Sequence, residues 1–380
     1  MTGRATGAWA LVVGLALVAS GVIPRPALAE DEPGTGLPKW LEQVSLNGFL
    51  STTYGYNLNH PDSRTNQLRV FDFDDNTFKL DLFELVVQRA VSRPREAGFR
   101  VDLALGSSVP RVSSSPGLFR TDSTVDDIDM HQAFLSWIAP LGSGLRLDMG
   151  KFITPHGYEV IPGYDGWNDN ATRSFLFGFA IPFTHVGARA SYSLSPRVTG
   201  MVMVVNGWDV ARDNNRSKTV GAQLVATPTA PLTVTLNAMY GPERAANDSD
   251  ARTLLDLTAV WKANSWLTLG ANGDVGAEPG AVTPGSTARW SGFAGYARLA
   301  PGGRFALSLR GESFEDLDGA RTGTAQKLVE GTVSPELRLT PHLLMRSDLR
   351  VDHSSKDVFE KRSGLTDTQP TVLLEALYSF

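Results

Sequence analysis

Three acids, Glu159, Asp165 and Asp169, lie in one stretch from Gly150 to Phe183 that is otherwise rich in glycine, proline and aromatic residues. Six arginines, Arg100, Arg146, Arg189, Arg310, Arg346 and Arg350, occupy polar positions of segments that alternate apolar with polar residues. Opposed rows of carboxylates and guanidiniums make and break no bonds on their own. In a narrow, partly dehydrated passage they select ions by charge and orient dipolar solutes. The plainer role for the same groups is to solvate a wet interior and pair with one another, as Arg346, Asp348, Arg350 and Asp352 invite.

Bond-making chemistry finds little support. The chain has no cysteine, which removes thiolate metal sites and cysteine nucleophiles. Asp72, Asp74, Asp75 and Asn76, and separately Asp126, Asp127 and Asp129, have the oxygen-rich character of calcium loops. Neither set has the spacing and glycine of an EF-hand, and both read as solvated loop acids. His156 and His185 bracket the acidic stretch and could meet in space, yet no carboxylate partner is evident, so no metal or cofactor is expected. A hydrolase needs a serine held beside a histidine. There is no G-x-S-x-G elbow, and no motif brings a serine to His131. The net charge of -5, with both signs well mixed and no basic run, argues against nucleic acid as a partner.

The elements that would position these charges are strands. Arg4, an apolar run from Ala8 to Ala19, Pro24, Pro26 and the small residues Ala27-Leu28-Ala29 predict a signal peptide over residues 1–29 and hence export. Residues 30–44 read as a periplasmic tether. From residue 45 to 380 the chain repeats short segments of period two, such as Leu145, Leu147 and Met149 against Arg146 and Asp148. About sixteen such segments can be marked. Tight links, such as Gly142-Ser143-Gly144 and Pro301-Gly302-Gly303, alternate with longer polar ones. An even strand count with short turns on one rim and long loops on the other is what a transmembrane antiparallel β-barrel requires. The sheet must close, because a bilayer tolerates no unpaired edge. The acidic stretch then becomes the third external loop. Its residues 153–182, too long and too rich in aromatics for a linker, are expected to fold inward and constrict the lumen.

Val372, Leu374, Ala376, Tyr378 and Phe380 share one face of the last segment, with the pattern of an insertion signal read by the barrel-assembly machinery. Trp137, Trp261, Trp266, Trp290, Tyr240 and Tyr296 fall near segment ends, where an interfacial girdle would stand. The alternation slips around Phe83-Glu84, predicting a bulge. From Thr199 to Val205 both faces are apolar, and the pattern does not separate inside from outside.

Gly150-Lys151-Phe152 with Thr154-Pro155-His156-Gly157-Tyr158-Glu159, Asn206-Gly207-Trp208-Asp209, and the acidic approach Phe71 to Asn76 resemble motifs of the OmpL-like β-barrel porin family. The resemblance covers nearly the whole mature chain. It implies an outer-membrane channel without catalytic residues. The expected function is passive diffusion of small hydrophilic solutes or ions, in contact with outer-membrane lipids and lipopolysaccharide. The sequence is compatible with either sign of ion selectivity, and trimerisation through the barrel wall rests on analogy with general porins. Two other readings stand beside it: an adhesin or structural anchor, which would need larger external loops, and an outer-membrane hydrolase.

Overall fold

The structure, a computed structural model, describes residues 43–109, 128–161 and 168–380. The strands are β1 (Ser45–Asn57), β2 (Thr77–Arg89), β3 (Ala97–Leu105), β4 (Ile128–Ala139), β5 (Leu145–Ile153), β6 (Thr184–Ser195), β7 (Val198–Val205) and β8 (Thr219–Thr229). They continue as β9 (Leu232–Pro242), β10 (Ala251–Lys262), β11 (Leu267–Pro279), β12 (Thr287–Leu299), β13 (Phe305–Asp316), β14 (Gln326–Arg338) and β15 (Leu343–Ser354). A small hairpin, β16 (Phe359–Lys361) and β17 (Gly364–Thr366), precedes β18 (Thr368–Ser379). All but that hairpin pair with their sequence neighbours, and β1 pairs with β18, giving a closed antiparallel barrel of sixteen strands.

The two faces of the wall have opposite chemistry. Outward positions carry Leu135, Met149, Val202, Phe293, Leu349 and other apolar side chains that are largely exposed. Inward positions carry Asp102, Asp148, Asp256, Arg310, Glu330 and Asp352, all buried. Water outside would favour the reverse arrangement. Hydrocarbon outside and polar groups inside favour this one. Trp137, Trp261, Trp266 and Tyr240 stand on the outer face as a girdle would. Trp290 and Tyr296 do not: they are 1% and 7% exposed and point inward, because even-numbered positions of β12 face the lumen.

The irregularity expected in β2 is present, with Asp81 as the extra residue opposite the Ser51/Thr52 step, two positions before Phe83. In β7 the ambiguous faces resolve, with Met201, Met203 and Val205 inside and Val202 and Val204 outside. Gly48 and Phe380 exchange both backbone hydrogen bonds at 3.0 Å across the closing seam. A Cβ on Gly48 would come within 2.6 Å of the Phe380 ring, so the seam demands glycine there.

Candidate functional site

The described parts of the connection from β5 to β6, residues 154–161 and 168–183, leave one side of the barrel, cross the lumen and dock on the wall made by β10 to β15. Gly157 makes the turn inward with φ +90°, a left-handed conformation that L side chains avoid, and Ile181 fills the space where its Cβ would be. The next groups meet successive strands. Gly157 N–H donates to Asp256 (3.1 Å), Tyr158 N–H donates to Asn272 (3.1 Å), and the Tyr158 ring stacks on Tyr296 at 4.0 Å.

Arg310 is the centre of the docking. It donates from Nε to Glu330 (2.6 Å) and from one terminal nitrogen to Glu159 and to the Thr172 carbonyl (2.7 Å each). The second oxygen of Glu159 accepts from the Ser174 N–H (2.8 Å) and hydroxyl (2.6 Å), so the acid ties the two limbs of the loop together. Arg346 reaches Glu375 and the carbonyl of Asn168, while Arg350 reaches Asp352 (2.6 Å) and the carbonyl of Arg173. Asp348 accepts both the N–H and the hydroxyl of Thr172, at 2.7 and 2.8 Å. A lumen-side loop has backbone groups that must find partners, and here the wall's arginines take its carbonyls while the wall's acids take its N–H groups.

Past Ser174 the loop forms one π-helical turn, Leu176–Ala180, stopped by Ile181 in extended conformation before Pro182. The unpaired N–H groups at the start of a helical turn favour an anion. Glu312 from β13 supplies it, accepting from Phe175 (2.5 Å) and Leu176 (3.1 Å). Trp290 Nε1 donates to the Ala180 carbonyl (3.1 Å). Phe175, Leu176 and Phe177 are buried with Met201, Met203, Trp208, Trp290 and Phe314. The apolar inward face of β7 thus serves the loop.

The first external connection, residues 58–76, also folds inward. Arg69 bonds Asp72, Asp352 on β15 (3.0 Å) and Thr371 on β18 (3.0 Å), and Phe71 packs on Phe177 and Phe183. Asp72 and Asp75 are therefore buried and bonded, correcting their reading as solvated acids; Asp75 accepts the Asn57 N–H at 2.7 Å. The Arg69 guanidinium beside Asp72 holds its carboxyl below the usual range against the opposing push of burial. Among the described residues no group of three or more His, Cys, Asp or Glu is arranged to hold a metal ion. Asp126 and Asp127 lie outside the described residues.

The ends of the loop are pinned by the remaining motifs. Thr154 Oγ1 lies 3.1 Å from both His156 Nδ1 and His185 Nε2, so the two histidines meet through one hydroxyl. Burial, and then the proximity of His185, push His156 down to about 3. Asp209 accepts the N–H groups of Phe183 (2.6 Å) and Thr184 (2.9 Å), and burial pushes its carboxyl up to about 6. Trp208 meets Trp290 edge-on, with Arg252 and Arg321 over its ring. His131 faces Glu84 at 3.4 Å, with no hydrogen-bond partner on its Nε2 among the described residues.

The expected charge rows divide. Glu159, Arg310, Arg346 and Arg350 face inward as direct contacts between loop and wall, closer to the mutual pairing than to opposed rows across a passage. The reason is proximity: the loop lies on β13 to β15. Asp169 is a third exposed and lies 3.2 Å from Arg298; burial raises its carboxyl pKa and Arg298 opposes the rise. Asp165 lies outside the described residues. Arg100, Arg146 and Arg189 sit on β3, β5 and β6, toward the short-turn rim, and pair with Asp102 and Asp148. Sequence reasoning missed Arg298 and Arg338, which both bond Glu336 on the far wall. For Arg298 the signal was the parity of β12, hidden by taking Trp290 and Tyr296 as girdle residues.

The same fold recurs in solved porins. An anion-selective porin from Comamonas acidovorans superposes with a TM-score of 0.60 at 11% identity, covering 89% of this chain and 99% of that one. OmpT of Vibrio cholerae, in a structure described as its trimer form, gives 0.59 at 12% identity, covering 89% and 99%. OprB of Pseudomonas putida gives 0.59 at 11% identity, covering 90% and 95%. No curated protein sequence matches the chain. Residues 43–380 match the family described as "Putative beta-barrel porin-2, OmpL-like", and with its whole barrel inside that match the chain belongs to this family of outer-membrane porins.

Proposed function

We propose that the protein is a passive diffusion channel, through which small hydrophilic solutes or ions cross the outer membrane in a water-filled lumen narrowed by residues 153–182. One observation carries the reading. The inward loop is clamped to β10–β15, while inward groups near the short-turn rim, such as Arg146 and Arg338, remain solvent-exposed. A loop fixed to one wall narrows a lumen by geometry, and selection then follows from size and from the charges left facing water. No turnover chemistry is invoked. Residues 1–29 act as a cleaved export signal and 30–44 as the tether. Tyr378 and Phe380, half-exposed on the outer face, belong to the segment read by the assembly machinery. A homotrimer is the proposed assembly.

The test is single-channel conductance of the full barrel in a planar bilayer. Stepwise ohmic openings are expected. Silence from protein with the heat-modifiable mobility of a folded barrel would overturn the diffusion reading. A second reading, a barrel closed at rest, takes its support from Phe71 packed on Phe177 and Phe183 above the loop. It predicts openings only after the first loop is deleted.

A further inference from the structure

On β5 and β6 two guanidiniums share one carboxylate. Arg146 Nε lies 2.9 Å from one oxygen of Asp148, and Arg189 Nε lies 2.9 Å from the other. The adjacent Arg100 pairs with Asp102, and around Asp148 itself two guanidiniums face one carboxylate, an excess of one positive charge within that cluster. The signs are also layered. Asp148 is 2% exposed, whereas the side chains of Arg146 and Arg189 are 40% and 20% exposed. Arg189 engages Asp148 through Nε alone and lies over Phe152 and Phe134, at 4.6 and 5.4 Å, which fixes its plane. Arg146 commits one terminal nitrogen to Ser136 (3.1 Å). The remaining terminal N–H groups of both side chains make no hydrogen bond among the described residues.

The opposite wall does not cancel the excess. There Arg298 and Arg338 meet Glu336 and Asp169, two charges against two. A solute passing beneath the loop therefore meets a balanced cluster on one side and a positive one on the other. Arg189, held through Nε alone, presents its terminal fork in the geometry that carboxylate and phosphate oxygens fit, and Arg146 adds one uncommitted terminal nitrogen. One net charge attracts an anion while allowing it to leave, which conduction requires.

Resting on the diffusion reading, we propose that Arg146, Asp148 and Arg189 form an anion-binding step, and that the channel prefers small oxyanions, carboxylates and phosphates, to cations. The experiment uses the full chain in a planar bilayer under a potassium chloride gradient, with inorganic phosphate as the added probe. Chloride should be several-fold more permeant than potassium, and millimolar phosphate should reduce the chloride current. Arg146→Gln should halve the preference, and Arg146→Gln with Arg189→Gln should abolish both the preference and the phosphate effect. The corresponding lysine pair should restore the preference, and Asp148→Asn should raise it. Cation-preferring wild-type openings, or an unchanged ratio in the glutamine variants, would overturn the inference while leaving the porin reading intact. Silence from folded wild-type protein would remove both. Since Arg146→Gln leaves Arg189 on Asp148, it keeps the test decisive if the double variant does not assemble.

Discussion

Arg310 and Arg146 are the same residue type at the same kind of position, the inward site of an alternating strand, and they have opposite fates. Arg310 is wholly buried between Glu159 and Glu330 and holds a loop carbonyl; Arg146 rests on Asp148 with two fifths of its side chain in water. What separates them is the loop. Where it lies against the wall, Arg310, Arg346, Arg350, Glu312 and Asp348 are consumed in fastening it. Away from it, near the short-turn rim, guanidiniums face the lumen. Inward charge in this barrel is therefore of two kinds, a clamp and a lining, and variants should sort accordingly.

The largest effect is expected from Arg310→Met. It strands two buried carboxylates, and breaking a buried pair costs about 3–5 kcal/mol. The thermal midpoint of the folded barrel should fall and its conductance should rise as the loop is released; an unchanged conductance would place the clamp elsewhere. Acid should loosen the same loop by a different route. The folded protein holds His156 near 3, below its ordinary value of 6.5, so the stability from its neutral form is complete above about pH 6.5 and drains away as pH falls toward 3. Roughly 3 kcal/mol is lost between pH 7 and 4 by this group. His156→Gln should flatten that part of the stability profile, read by the midpoint at each pH. Trp290→Phe removes one buried N–H donor and leaves the Ala180 carbonyl unpaired, for about 1–2 kcal/mol. Limited proteolysis in the loop should quicken in that variant. Smallest of all, Arg338→Gln lies at the exposed rim, where an ion pair is worth about 0–1 kcal/mol. Its midpoint should hold while ion selectivity shifts slightly toward cations.

The barrel was legible because its two faces are unlike. Leu145, Leu147 and Met149 against Arg146 and Asp148 give strand, facing and the need for an apolar surround in five residues. Legibility fails where lumen and lipid ask for the same chemistry. In β7 the lumen side is apolar because Met201 and Met203 pack on the loop, so alternation carries no sign. In β12 the loop needs aromatics inside, and Trp290 and Tyr296 mimic an interfacial belt; that error concealed Arg298. The first loop's inward fold was invisible for a different reason. Arg69 finds Asp352 283 positions away, and no local pattern announces such a partner. The motif Asn206 to Asp209 was visible as a motif, but its work, holding the N–H groups of Phe183 and Thr184, emerges only when the ends of the loop come together.

The seam between β1 and β18 is the pairing that leaves the barrel without an edge. Ser51 hydrogen-bonds Glu375 across that join, 324 positions apart in the chain. Without that pairing β1 and β18 would both be raw edges, able to template pairing with a neighbouring chain. Loop closure over such a distance is also among the slowest of steps. Whatever assembles the barrel must therefore shield both of these edges until the two strands meet.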